Sequence, residues 1–171
     1  HAFLSELFAI CQSFYSHFAN DETQIGFDYR CPLDISEAPD VSLLMEKYEK
    51  SLTRDQMSGQ TNLGVHKDDV IFTIDGKNVN SFASQGQKRT LLLSLKIAMT
   101  AMIKEKIGEY PILLLDDVFS ELDPRRCCQL IDILPSEMQI FISSAGENSF
   151  TQFQKRPITV YEVENGKIQR R

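Results

Sequence analysis

Two adjacent carboxylates, Asp116 and Asp117, follow directly on the apolar run Ile112-Leu113-Leu114-Leu115. A short unbroken apolar run of this kind reads as a central parallel strand with both faces covered. Open α/β sheets bind ligands beyond the carboxyl ends of their strands, so acids at that edge stand where a hydrated divalent cation is held. In this reading Asp116 ligates Mg²⁺, directly or through water. Asp117, one residue further, orients a water for attack on a phosphoryl group. The alternative is purely structural: both acids start a turn and cap the next helix.

A second group, Ser84-Gln85-Gly86-Gln87-Lys88-Arg89, stands ahead of a long apolar segment. A hydroxyl, side-chain amides and free backbone N–H groups at a helix N-terminus make an anion site, and Gly86 permits close backbone approach. Lys88 and Arg89 oppose the helix dipole there, a loss of roughly 0.3–1 kcal/mol each relative to a well-placed acid. A polyphosphate supplied from outside the helix would compensate them; otherwise Ser84 is a plain cap and both cations are solvated. Three further stretches carry polar groups at element ends. Ser120-Glu121-Leu122-Asp123-Pro124 is a polar turn around one apolar residue, Ser143-Ser144 follows an apolar strand at 138 to 142, and His66 to Asp69 reads as a strand-entry turn. Either serine of the pair at 143 and 144 contacts a phosphate or caps the following loop.

The elements that must position these groups are legible from periodicity. Phe3, Leu4, Leu7, Phe8, Cys11, Phe14, Tyr15 and Phe18 recur at helical intervals, predicting an amphipathic helix over 2 to 19. Ile25, Phe27 and Tyr29 alternate with polar residues and predict a half-buried strand ended by Pro32. Asp40 caps a second helix with Val41, Leu44, Met45, Tyr48 and Leu52 on one face and a Glu46–Lys50 pair on the other. Val70, Phe72 and Ile74 lead to the hairpin signal Asp75-Gly76, with Val79 and Phe82 on the return strand. The segment after Gly86 is apolar almost all round and so reads as a helix buried on more than one side. A helix opened by Pro124 over 124 to 134 and the strand at 138 to 142 complete a β-α-β unit, and Asn165-Gly166 turns a terminal hairpin.

The 171 residues carry 18 Lys and Arg against 24 Asp and Glu, a formal net charge of −6, so no global basic character marks a free-standing nucleic-acid binder. No stretch reaches the roughly 18 apolar residues of a membrane span. The four cysteines, Cys11, Cys31, Cys127 and Cys128, lack zinc-finger spacing and read as reduced thiols of a cytoplasmic protein. The chain begins His1-Ala2-Phe3, without a basic n-region, and is expected to be a fragment rather than to carry a secretory signal.

Taken in order, Ser-Gln-Gly-Gln at 84 to 87, a long buried helix, Leu-Leu-Leu-Asp-Asp at 113 to 117 and Ser-Glu-Leu-Asp at 120 to 123 resemble the signature motif, Walker B and D-loop of ABC-type ATPase heads. Within that superfamily the wording resembles RecF, the bacterial recombination-mediator ATPases of DNA repair. Gly64-Val65-His66-Lys67-Asp68-Asp69 is similar to the Gly-Pro-His-Arg-Asp-Asp stretch of that family, with departures at Val65 and Lys67. Ser143-Ser144 stands where RecF proteins place a hydroxyl residue and ABC transporters a switch histidine.

The resemblance implies an α/β chain of the P-loop NTPase superfamily, with a helix-rich lobe over 1 to 60 and an ATPase-head segment over 61 to 171. It implies ATP and Mg²⁺ as cofactors in the full-length protein, held between two subunits in an ATP-dependent homodimer. Asp116 would serve the metal and Asp117 the catalytic water. Ser84, Gln85, Gly86, Gln87, Lys88, Arg89, Asp123, Ser143 and Ser144 would meet nucleotide. DNA with single-strand/double-strand junctions and recombination-mediator proteins are the implied partners, and recombinase loading at gapped DNA the implied task. No Gly-x-x-x-x-Gly-Lys-Ser/Thr occurs in the sequence, so it reads as a C-terminal portion of such a protein, expected alone neither to bind ATP tightly nor to hydrolyse it. Three rival readings are an SMC-like head, a metal-dependent nuclease using Asp116 and Asp117 with Asp68 and Asp69, and a non-enzymatic interaction module. The first is disfavoured by the lack of Gly-Gly in the signature, of Asp-Glu at Walker B and of heptad arms.

Overall fold

Residues 2–19, 22–31, 40–145 and 157–171 are described in the computed structural model. They divide into two compact units, one of residues 1–8 and 23–84, the other of 9–22 and 85–171. Strand pairing is why this differs from a boundary near residue 60. The hairpin at 69 to 78 is hydrogen-bonded to the strand at 25 to 30 and stays with it.

In the first unit, the opening turns of α1 (Ala2–Ala19) bring Phe8 onto Phe27 of β1 (Ile25–Arg30) and Phe72 of β2 (Asp69–Ile74), with ring centroids 4.8 and 5.6 Å apart. β1 and β2 pair antiparallel from Ile25↔Ile74 to Arg30↔Asp69. Asp75 and Gly76, at φ 49° and 73°, make the tight turn that the sequence signals. The return strand β3 is only Lys77–Asn78, however, and Val79 and Phe82 lie on a short helix, α3 (Val79–Phe82), instead of a strand. The reason is local: the Asn78 side chain accepts the Asn80 N–H at 2.8 Å, an N-cap that turns the backbone out of the ladder. α2 (Val41–Ser58) starts at Asp40, whose carboxylate accepts the Ser42 N–H at 2.9 Å, and ends at Gly59 in the left-handed region. Its expected Glu46–Lys50 pair forms, but none of its side chains is buried. Pro32 lies outside the described residues.

The strand-entry turn expected at 66 to 69 is a single 3₁₀ turn, Val65–Lys67. His66 Nε2 lies 3.0 Å from the Thr61 carbonyl, and the Tyr29 hydroxyl donates to Asp68, a bond that pushes the phenol up to about 12. The preceding loop hangs on Asp55, which accepts from the Asn62 side chain at 2.7 Å and backbone at 3.0 Å and is held below the usual carboxylate range by the first of these bonds.

The second unit is built around α4 (Gln85–Ile107). Leu91, Leu93, Ser94, Leu95, Ile97 and Ala98 are all buried, a set that runs round most of the helix as its apolar composition implies. Its buried hydroxyls are satisfied within the helix, Ser94 on the Thr90 carbonyl at 2.8 Å and Thr100 on that of Ile97 at 2.7 Å. Leu93 and Ile97 pack with Phe18 of α1, Leu113 and Leu115 of β4 (Leu113–Leu115), and Leu130 and Leu134 at α6 (Pro124–Ile133). Between β4 and α6 stands the one-turn helix α5 (Val118–Glu121). β4 pairs parallel with β5 (Ile140–Ile142), Leu115 opposite Ile142, as a β-α-β unit requires. The expectation of two covered faces is not met: Leu115 is 2% exposed and Leu114 66%, with Phe141 at 53% beside it. Successive strand residues point to opposite faces, and the described residues fill only one of them. β6 (Tyr161–Glu164) and β7 (Lys167–Arg170) form the terminal hairpin over Asn165-Gly166. No helix among the described residues is long and apolar enough to cross a membrane.

Candidate functional site

The site grows from the ladder between β4 and β5, which continues one step beyond both strands. Ser143 N–H donates to the Leu115 carbonyl at 3.0 Å, and Asp117 N–H donates to the Ser143 carbonyl at 3.2 Å. The Ser143 hydroxyl closes the arrangement. It donates to Asp116 Oδ1, and its oxygen lies 3.1 Å from Asp117 N. Both acids are solvent-exposed at the strand's carboxyl end. Asp117 sits at φ 47° and ψ 27°, a left-handed conformation in which a non-glycine residue is uncommon.

This geometry bears on the structural explanation of the acid pair. Asp117 occupies the residue before α5, yet its side chain makes no capping bond to that helix. Asp123 does cap: its carboxylate accepts the Arg126 N–H at 3.0 Å and pairs with Arg126 Nη1 at 3.3 Å at the start of α6. Capping therefore accounts for Asp123, the acid that opens α6.

A cleft of about 170 Å³ opens beside Asp116, lined by Arg89, Leu92, Leu93, Lys96, Leu115, Val118 and Leu122. The structure thus brings Arg89 and Asp116 to one cleft within the second unit. Gln85, Gly86, Gln87 and Lys88 form the first turn of α4 with Arg89 but do not line it, and Ser84 precedes the helix in the first unit. Asp123, Ser143 and Ser144 are likewise outside the lining. Lys96 was missed by sequence reading; its signal is its spacing of seven from Arg89, which puts both cations on one helix face. Among the described residues no group of three or more His, Cys, Asp or Glu side chains stands close enough to share an ion. The two acids and Ser143 do fit a single hydrated cation: hard oxygen donors, exposed, with one carboxylate oriented by a hydroxyl.

A parallel strand pair carrying acids at its carboxyl end, preceded by a long buried helix, has the fold of a portion of an ABC-type ATPase head. Solved structures agree on the class. The head of an SMC protein, solved with the C-terminal winged-helix domain of ScpA, matches 98% of the chain at TM-score 0.53 and 13% identity, a likeness of fold alone. Structures of the recombination mediator protein RecF in the RecFOR pathway, one of them RecF-ATP, match 99% of the chain at TM-score 0.77 and 26% identity and are themselves covered to 44%. No family model matches. The DNA replication and repair protein RecF of Bacillus velezensis is 35% identical over 170 residues, 97% of this chain and 46% of that protein. Its counterpart in Rippkaea orientalis is 42% identical over 137 residues, 80% of this chain and 35% of that protein. The chain belongs to the RecF family, and it spans under half the length of the curated relatives it matches.

Proposed function

We propose that this chain supplies the signature helix and the acid-bearing strand of a RecF-type ATPase that acts in DNA replication, recombination and repair. The single observation that carries the reading is the pair Asp116 and Asp117 at the carboxyl end of a parallel strand, held there by Ser143. In the complete protein Asp116 is the residue for Mg²⁺ and Asp117 the residue that orients the attacking water. Magnesium bound with ATP would neutralise charge on the β- and γ-phosphates. Ser84 to Arg89, at and before the start of α4, offer backbone donors and two cations to the nucleotide of a second subunit, giving an ATP-dependent homodimer. DNA with single-strand/double-strand junctions and recombination-mediator proteins are the proposed partners, in the cytoplasm. Support comes from the names of the relatives and solved structures.

The test needs a longer protein that contains this segment, because the 171 residues hold no P-loop. Asp116→Asn removes a charge opposite a divalent cation and should weaken Mg²⁺-dependent ATP binding. Asp117→Asn removes a contribution made chiefly in the transition state. It should slow single-turnover hydrolysis by about 100-fold or more while leaving affinity nearly intact. Equal losses of affinity would refute the division of labour. No effect of either would refute the site.

A further inference from the structure

From the sequence, Ser143 is one of two hydroxyls that either contact a phosphate or cap the following loop. We infer that it is instead a positioning residue, holding the Asp116 carboxylate and the Asp117 backbone in the geometry their roles require; this rests on the function proposed above for the two acids. A serine hydroxyl has one proton to donate and two lone pairs. The proton goes to Asp116 Oδ1, and one lone pair faces the Asp117 N–H at 3.1 Å. A phosphate oxygen only accepts hydrogen bonds, so a hydroxyl whose single proton is committed to Asp116 has nothing to give it. Ser143 is therefore set to act on the acids and not on the nucleotide.

The backbone of the same residue completes the hold. Ser143 N–H donates to Leu115 at 3.0 Å and its carbonyl accepts from Asp117 at 3.2 Å, so the serine is fixed by the β4–β5 ladder before its side chain acts. The Asp117 N–H is shared between the carbonyl and hydroxyl of one residue, which fastens Asp117 in its left-handed conformation. One Asp116 oxygen is pinned by the hydroxyl and the other remains for a cation. Groups that orient a metal-binding carboxylate in this way commonly govern metal affinity by about 10-fold to 100-fold.

Ser143→Thr keeps the hydroxyl, and Ser143→Val has the same shape as Thr without it. In a full-length protein containing this segment, the readouts are the Mg²⁺ concentration that half-saturates ATP binding, ATP affinity without metal, and Mn²⁺ affinity by paramagnetic resonance. Ser143→Thr should stay within about twofold of the parent, while Ser143→Val should need about tenfold more Mg²⁺ and bind Mn²⁺ correspondingly less tightly, with metal-free ATP affinity unchanged. A loss of metal-free ATP affinity in Ser143→Val, with its metal dependence intact, would make Ser143 a phosphate ligand and overturn the inference. Asp116→Asn measured alongside separates the two levels. If Asp116→Asn raises the Mg²⁺ requirement and Ser143→Val does not, the positioning role alone fails. If neither does, the reading of the acids as a metal site fails, and the inference with it.

Discussion

α2 and α4 are both long helices with apolar side chains at helical spacing, yet they have opposite fates. α4 buries residues almost all round. α2 buries none: Val41, Met45, Leu52 and Met57 are all exposed in the unit to which it belongs. Among the described residues, the features that support α2 are local, a capped start at Asp40, the Glu46–Lys50 pair and a left-handed Gly59 at its end. What holds α4 is packing against β4, α6 and α1. The difference teaches that capping and pairing specify that a helix forms, whereas only burial makes it rigid enough to support an acid pair one strand away.

The contrast is broken most directly by truncation. Ile97→Ala in α4 removes a side chain that is 2% exposed and should cost about 2–5 kcal/mol, whereas Leu52→Ala in α2 should change stability by no more than about 0.5 kcal/mol. Urea denaturation followed by circular dichroism measures both; comparable losses would mean that α2 is packed in solution. A smaller effect sharpens the local half of the comparison. Asp40→Ala deprives the Ser42 N–H of its acceptor and should cost about 1 kcal/mol. The loss should appear as faster amide exchange confined to α2, and exchange spreading into α4 would contradict it.

The smallest expected effect lies in the thiols. Cys11 and Cys127 are buried in the packed unit, and burial pushes the Cys11 thiol up to about 12. Its folded pKa exceeds the ordinary value of 9.0, so the unfolded chain releases this proton first as pH rises. Any stability linked to Cys11 is therefore intact below about pH 9 and declines from there toward pH 12. Cys128, which is exposed, should react with an aromatic disulfide reagent at pH 8 well before Cys11 or Cys127. A parent chain that loses stability above pH 9 no faster than Cys11→Ala would remove the link, and early modification of Cys11 would show that the α4 core opens readily.

Much of the candidate site was legible because the signals that mark it are local in sequence. Asp116 and Asp117 follow an apolar run whose length and abrupt end mark a strand edge, and the start of α4 was marked by Ser84-Gln85-Gly86 ahead of an apolar segment. Lys96 was not, since a lone lysine on an apolar helix looks like any solvated cation until the fold sets it beside Asp116 in a cleft. Val79 and Phe82 were misread as strand because the Asp75-Gly76 turn calls for a return strand, whereas the Asn78 cap and the three-residue spacing of the two side chains suit a helical turn.

By itself, then, the sequence determined where most of the helices and strands form, through periodicity, caps and the Asp75-Gly76 and Asn165-Gly166 turns, and it placed two acids at a strand end. The tertiary structure decided which polar groups are already spent. Asp123 is used on Arg126, while the hydroxyl of Ser143 is used on the acids 26 and 27 residues before it. It also decided that Leu115 is covered and Leu114 is not. The physical reason is that hydrogen-bond valence and burial belong to neighbours in space, and pairing β4 with β5 creates neighbours that no spacing along the chain encodes.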